Sequence, residues 1–147
     1  MPLLRDLELA FGPTAGNDTA LAIGRFVEGR GDRLRSLILT LSCRVSDVGC
    51  AHLTRALAHT TQLRTLRLHL ANNLITNHGV FALTKVVAAG CGRVLRDFQL
   101  DLLYNCTDDG AMMMLMTAIM GWKELRRLHL GSGQVDRVVA LYTTVCD

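Results

Sequence analysis

The sequence predicts an α/β solenoid, a horseshoe segment with a parallel β-sheet on its concave face and helices on its convex face. Three observations predict it. The hexad Leu-Arg-x-(Leu or Phe)-x-Leu occurs five times, at 4–9, 34–39, 63–68, 95–100 and 125–130, so the copies begin 30, 29, 32 and 30 residues apart. Self-similarity at such a period is the mark of a stacked repeat. Each copy opens an alternation of apolar and polar residues, the period-two pattern of a half-buried strand. Four of the copies are then followed by a polar turn and an apolar series at helical spacing.

Repeat three shows the unit most clearly. Leu66, Leu68 and Leu70 face inward, separated by Arg67 and His69. Asn73, Ile75, Thr76, Asn77 and Gly79 form the turn, and Leu83, Val86 and Val87 follow at helical spacing. Thr76 is the expected N-cap, because its hydroxyl can accept an otherwise unpaired N–H of the first turn. Repeat two runs through Leu37, Leu39 and Leu41 to Ser46-Asp47-Val48-Gly49 and a helix carrying Leu53 and Leu57. Repeat four runs through Phe98, Leu100 and Leu102 to Asn105, Thr107-Asp108-Asp109-Gly110 and a helix carrying Met114 and Ala118 in the columns of Leu53 and Leu57. In repeat one Gly16-Asn17-Asp18-Thr19 replaces the glycine-ended turn, while Ile23 and Val27 keep the helical columns. Repeat five is expected to be a strand alone, ended by Gly131-Ser132-Gly133 ahead of an irregular tail, 131–147, with Val138, Val139 and Leu141.

Five repeat starts occupy nearly all 147 residues, so a single domain spanning 1–147 is expected, without room for a separate catalytic module. A hydrophobic fraction of 50 % with 5 % aromatics suits a core of many Leu, Val, Ala and Met side chains. Net charge is +3, and most arginines are spread one or two per repeat, which disfavours nucleic acid as a partner. Cys43, Cys50, Cys91, Cys106 and Cys146 are an odd number with no C-x-x-C pair, favouring a reducing compartment. No secretory signal is visible before the first repeat. The longest apolar run, Ala111 to Met120, is far short of the roughly 18 to 20 residues of a membrane span.

The strand–turn–helix unit resembles the leucine-rich repeats of the ribonuclease-inhibitor-like class. Their pattern, L-x-x-L-x-L-x-x-N-x-(I/L)-x-(D/N)-x-G, is nearly continuous in repeat three, and the resemblance covers about residues 3 to 131. It implies a leucine-rich-repeat solenoid and a ladder of turn asparagines, present here as Asn73 and Asn105 but replaced by Arg44 and Thr14 elsewhere. The turns Ser42-Cys43 and Asn105-Cys106-Thr107-Asp108-Asp109-Gly110 resemble cysteine-containing repeats of F-box substrate adaptors, although no F-box-like segment precedes them. One branch of the class activates Ran-type GTPases through an acidic tail and a dedicated arginine, features without a counterpart here.

Strand pairing sets equivalent residues about 4.8 Å apart, so each sequence position becomes a column on the sheet. One outward column reads Glu8, Ile38, Arg67, Gln99, His129, and the next reads Ala10, Thr40, His69, Asp101, Gly131. Glu8, Ile38, Arg67, His69, Gln99, Asp101 and His129 are the concave-face candidates for partner binding. The column Arg5, Arg35, Arg64, Arg96, Arg126 is expected to be splayed into solvent or paired with acids such as Asp6 and Asp97. On the convex side, alignment on the turn glycine sets Met116 against Arg25, Arg55 and Lys85, and Met113 against Ala22, His52 and Ala82. The fourth helix thereby loses its polar face. Met113, Met116 and Met120 are candidate adaptable contacts, with Trp122 as an aromatic anchor. Two readings remain: a partner covers this helix, or the tail folds back over it. The first strand starts close to Met1 without a capping element, which invites pairing with another chain.

No phosphate-binding glycine loop, nucleophile elbow or zinc-protease helix is present. Cys43, Cys50 and His52 do not assemble a ligand set, and His52 and His59 are two turns apart on one helix. No catalytic residue, metal or cofactor is therefore expected. The expected function is a non-enzymatic scaffold or adaptor, a subunit of a larger intracellular complex, in the cytoplasm including cytoskeletal or axonemal structures. The alternative is a substrate-receptor or regulatory module, of the ubiquitin-ligase-adaptor or GTPase-regulator kind, that recognises a mobile partner on the concave face.

Overall fold

In the computed structural model, residues 3–42, 44–134 and 137–144 are described, from 134 onward by their backbone alone. Each Leu-Arg-x-Leu-x-Leu copy forms a strand: β1 (Asp6–Ala10), β2 (Ser36–Thr40), β3 (Thr65–His69), β4 (Asp97–Leu103) and β5 (Arg127–Gln134). These five are all parallel and lie side by side in chain order. Parallel neighbours require a crossover, supplied here by α1 (Asn17–Glu28), α2 (Asp47–Leu57), α3 (Asn77–Ala89) and α4 (Asp109–Ile119). The helices pack against one another in the same order.

The motif copies meet without slip. Leu7, Leu37, Leu66, Phe98 and Leu128 are register partners, as are Leu9, Leu39, Leu68, Leu100 and Leu130. These columns point into the core with Ile23, Val27, Leu53, Leu57, Leu83, Val87, Leu115 and Ile119 of the helices. Burial alternates along β2 and β3, so only one face of the sheet is covered by helices. That is unusual for parallel strands, which are normally buried on both faces and apolar throughout. The polar outward positions of this chain are what permit the open face.

The turns are locked together by side chains that bridge consecutive repeats. Asn73 Oδ1 accepts from Val45 N at 2.9 Å, and its Nδ2 donates to the Leu41 and Leu70 carbonyls at 2.8 and 2.9 Å. Asn105 repeats this with Ile75 N at 2.9 Å and the Leu70 carbonyl at 2.7 Å. A second ladder joins the helix starts. Asn17 Oδ1 accepts from Ser46 N and Gly49 N, both at 3.0 Å, Asp47 Oδ1 from Thr76 N at 2.8 Å, and Asn77 Oδ1 from Asp108 N at 3.0 Å. Gly49 and Gly79 belong to this ladder, since a Cβ on either would overlap Asn17 Oδ1 or Asp47 Oδ1. Thr76 is the N-cap of α3, its hydroxyl accepting from His78 N.

The fourth helix departs from expectation. Its buried residues are Ala111, Leu115 and Ile119, not Met114 and Ala118. The cap of α4 is Asp108, which accepts from Gly110 N at 2.8 Å and Ala111 N at 3.4 Å. Asn77 and then the Gly110 N–H hold its carboxyl below the usual carboxylate range. Gly110 thus follows its cap by two residues, where Gly49 and Gly79 follow Ser46 and Thr76 by three. Alignment on the glycine was one residue out of frame.

The segment after repeat five is not irregular. β5 continues through Gly131, Ser132 and Gly133, pairing them with Asp101, Leu102 and Leu103 of the longer β4. Small residues read locally as a break, yet the unpaired peptide groups of β4 are better satisfied by strand. The chain then returns as β6 (Arg137–Thr144), antiparallel to β5 along its whole length. The tail closes a sheet edge instead of crossing α4. Cys43, Cys146 and the side chains of Val138, Val139 and Leu141 lie outside the described residues.

Candidate interaction surfaces

Register sets Glu8, Ile38, Arg67, Gln99 and His129 in one row across the open sheet face, and Thr40, His69 and Asp101 in the next. All but Glu8 are half-buried by their neighbours. The row before them holds what sequence reasoning missed. Asp97 and Arg127 are direct register partners, and the Asp97 side chain, only 3 % exposed, sits between two arginines. Arg67 Nη2 reaches Asp97 Oδ2 at 2.6 Å, and Arg127 Nη2 reaches the same oxygen at 3.3 Å. Of the two expectations for the arginines before the strands, exposure fits Arg5, Arg35 and Arg96, while the ion pairs of Asp97 are with Arg67 and Arg127 of the outward rows. The signal was present in the third motif position, which reads Asp6, Ser36, Thr65, Asp97, Arg127.

On the helical layer, Met113 and Met120 are 68 % and 85 % exposed, as large apolar side chains seldom are. The other two candidates, Met116 and Trp122, are more covered. Met116 is half-buried and packed on the core, because the frame of α4 starts from Asp108. Trp122 is buried, edge-on to Phe98 with ring centroids 5.2 Å apart, and its indole lies over Gly92, where any Cβ would collide with it. It anchors the core instead of offering itself to a partner.

Among the described residues, the first strand pairs with β2. Leu34, Leu63 and Leu95 are fully buried, whereas their counterpart Leu4 is 38 % exposed. Leu7 and Leu9 are half-covered, and Leu3 and Phe11 are exposed beside them.

No protein-family model matches the chain, and no curated protein is significantly similar to it, so geometry alone bears on function. No helix among the described residues is long and apolar enough to cross a membrane. No cluster of His, Cys, Asp and Glu among them has the makings of a metal site.

The buried thiols are structural in character. Burial, reinforced by nearby Asp47, pushes Cys50 up to about 12, and burial pushes Cys91 up to about 11. Both stay protonated at neutral pH and are poor nucleophiles. Cys50 Sγ instead donates weakly to the Gly79 carbonyl at 3.4 Å, from one helix to the next. Cys106 is exposed.

Proposed function

We propose that the chain is a leucine-rich-repeat solenoid of the ribonuclease-inhibitor-like class, acting without catalysis as an interaction subunit of a larger intracellular assembly. Five motif copies in one register, with asparagine ladders between turns, support the repeat assignment. The observation that carries the functional reading is the apolar surface of α4, where Met113 and Met120 stand in solvent. Flexible, polarizable methionine side chains suit an adaptable protein contact.

Affinity purification of the tagged chain from its native cell, quantified by mass spectrometry, tests this. A defined set of proteins should copurify, and Met113→Lys with Met120→Lys should remove it. Recovery of nothing above control, or equal recovery by the variant, would count against the reading.

One observation favours the alternative of a receptor module. The Arg67–Asp97–Arg127 cluster fixes two guanidinium groups on the open sheet face, where a mobile acidic partner could be recognised. In that case Arg67→Glu with Arg127→Glu, and not the methionine changes, abolishes copurification.

A further inference from the structure

Consecutive helices are not sealed against each other in the same way. Across α1 and α2, Glu28 Oε1 and Arg55 Nε close the crest with an ion pair at 2.9 Å. Glu28 lies twelve residues after the α1 cap and Arg55 nine after the α2 cap. The corresponding residues across α3 and α4 are Ala88 and Thr117, which cannot bridge. Both line a groove of about 520 Å³ between these helices, together with Phe81, Ala82, Met114 and Ala118.

The polar residues of the groove present little polarity. Thr84 Oγ1 donates to the Val80 carbonyl and Thr117 Oγ1 to the Met113 carbonyl, each at 2.8 Å, so both hydroxyls are engaged within their own helices. Lys85 is the single charged side chain of the lining. Its counterpart Arg55 is neutralised by Glu28, but Ala58 stands where an equivalent acid on α2 would be. An apolar furrow with one cation at its rim, unpaired with any acid among the described residues, calls for an apolar ligand bearing one anion. Exposed Met113, on the same helix, extends the apolar surface beyond the groove.

We propose that the α3–α4 groove seats an amphipathic helix of the partner protein, with a carboxylate beside its apolar stripe positioned to pair with Lys85. This rests on the protein-interaction reading and specifies the partner's chemistry. Helix-in-groove docking uses apolar anchors spaced along one helical face, and a carboxylate facing Lys85 sets the register and direction of the incoming helix.

The test is selection of a displayed library of helix-forming peptides, randomised along one face, on the folded chain. Enriched peptides should carry Asp or Glu adjacent to apolar anchors. Ala118→Arg, which fills the groove, should weaken them by about tenfold or more. Lys85→Glu changes an exposed residue and should leave the fold intact while shifting selection to Lys or Arg. Failure to enrich any peptide, or enrichment without an acidic position, overturns the proposal, as does binding indifferent to both variants. Peptides lost instead on Arg67→Glu with Arg127→Glu would overturn the groove but leave the chain an interaction protein.

Discussion

Arg67 Nη2 sits 2.6 Å from Asp97 Oδ2, joining β3 to β4 through a carboxylate almost wholly withdrawn from solvent. Arg127 approaches the same oxygen from β5 at 3.3 Å with 64 % of its side chain exposed, against 30 % for Arg67. The two arginines should therefore differ in energetic weight. Arg67→Ala removes the shorter, better shielded bond and should cost about 2 kcal/mol. Arg127→Ala should cost about 0.5 kcal/mol, as an exposed pair does. Urea unfolding midpoints of the two variants check the order.

Asn73 both accepts from Val45 N and donates to the Leu41 and Leu70 carbonyls, in a buried setting. Asn73→Ala strands these groups and should cost about 3 kcal/mol. Asn73→Asp keeps the shape but cannot donate while ionised, and it adds a buried charge. Near neutral pH the Asp variant should be the less stable of the two, with recovery on acidification as the new carboxyl gains a proton. Thermal unfolding of both variants at two pH values measures this.

The exposed methionines can be changed without touching the fold. Met113→Lys and Met120→Lys should each shift stability by less than about 0.5 kcal/mol, since both side chains are in solvent. Met116→Lys should destabilise more, because Met116 packs on the core. Trp122→Ala should cost about 4 kcal/mol through the cavity left beside Phe98. Circular-dichroism melts of the four variants separate contact residues from core residues.

Buried Cys50 and Cys91 imply alkaline sensitivity. Their folded pKa values, about 12 and about 11, lie above an ordinary value of 9.0, so the folded chain holds protons that the unfolded chain releases. Stability should be complete below about pH 9 and fall as pH rises toward 12. Cys50→Ala with Cys91→Val should flatten that decline in a pH series of denaturant melts. At neutral pH, a thiol reagent should modify exposed Cys106 well before either buried cysteine.

The strand columns were legible because each motif position repeats its own chemistry, and pairing in register carries it directly from Leu37 to Leu66 to Phe98. Frame errors arose where one residue type serves two purposes. Gly49 and Gly79 make room for a side chain of the preceding repeat, but Gly110 only follows its cap. The burial of Trp122 depends on Gly92 and Phe98, thirty and twenty-four residues earlier, and nothing adjacent to it announces that. The hairpin of β5 and β6 depends on the extra length of β4. Such partners are set by tertiary pairing, to which a local pattern is blind.

An assembly held through the apolar helical surface would give this chain, in its native cell, a mass well above its own. That mass is read on the tagged chain from native cell extract by size-exclusion chromatography with light scattering after gentle purification. The expected result is a discrete species several times heavier than the 16.1 kDa chain, reduced to monomer by Met113→Lys with Met120→Lys. A wild-type chain that elutes from that extract as a 16.1 kDa monomer would contradict it.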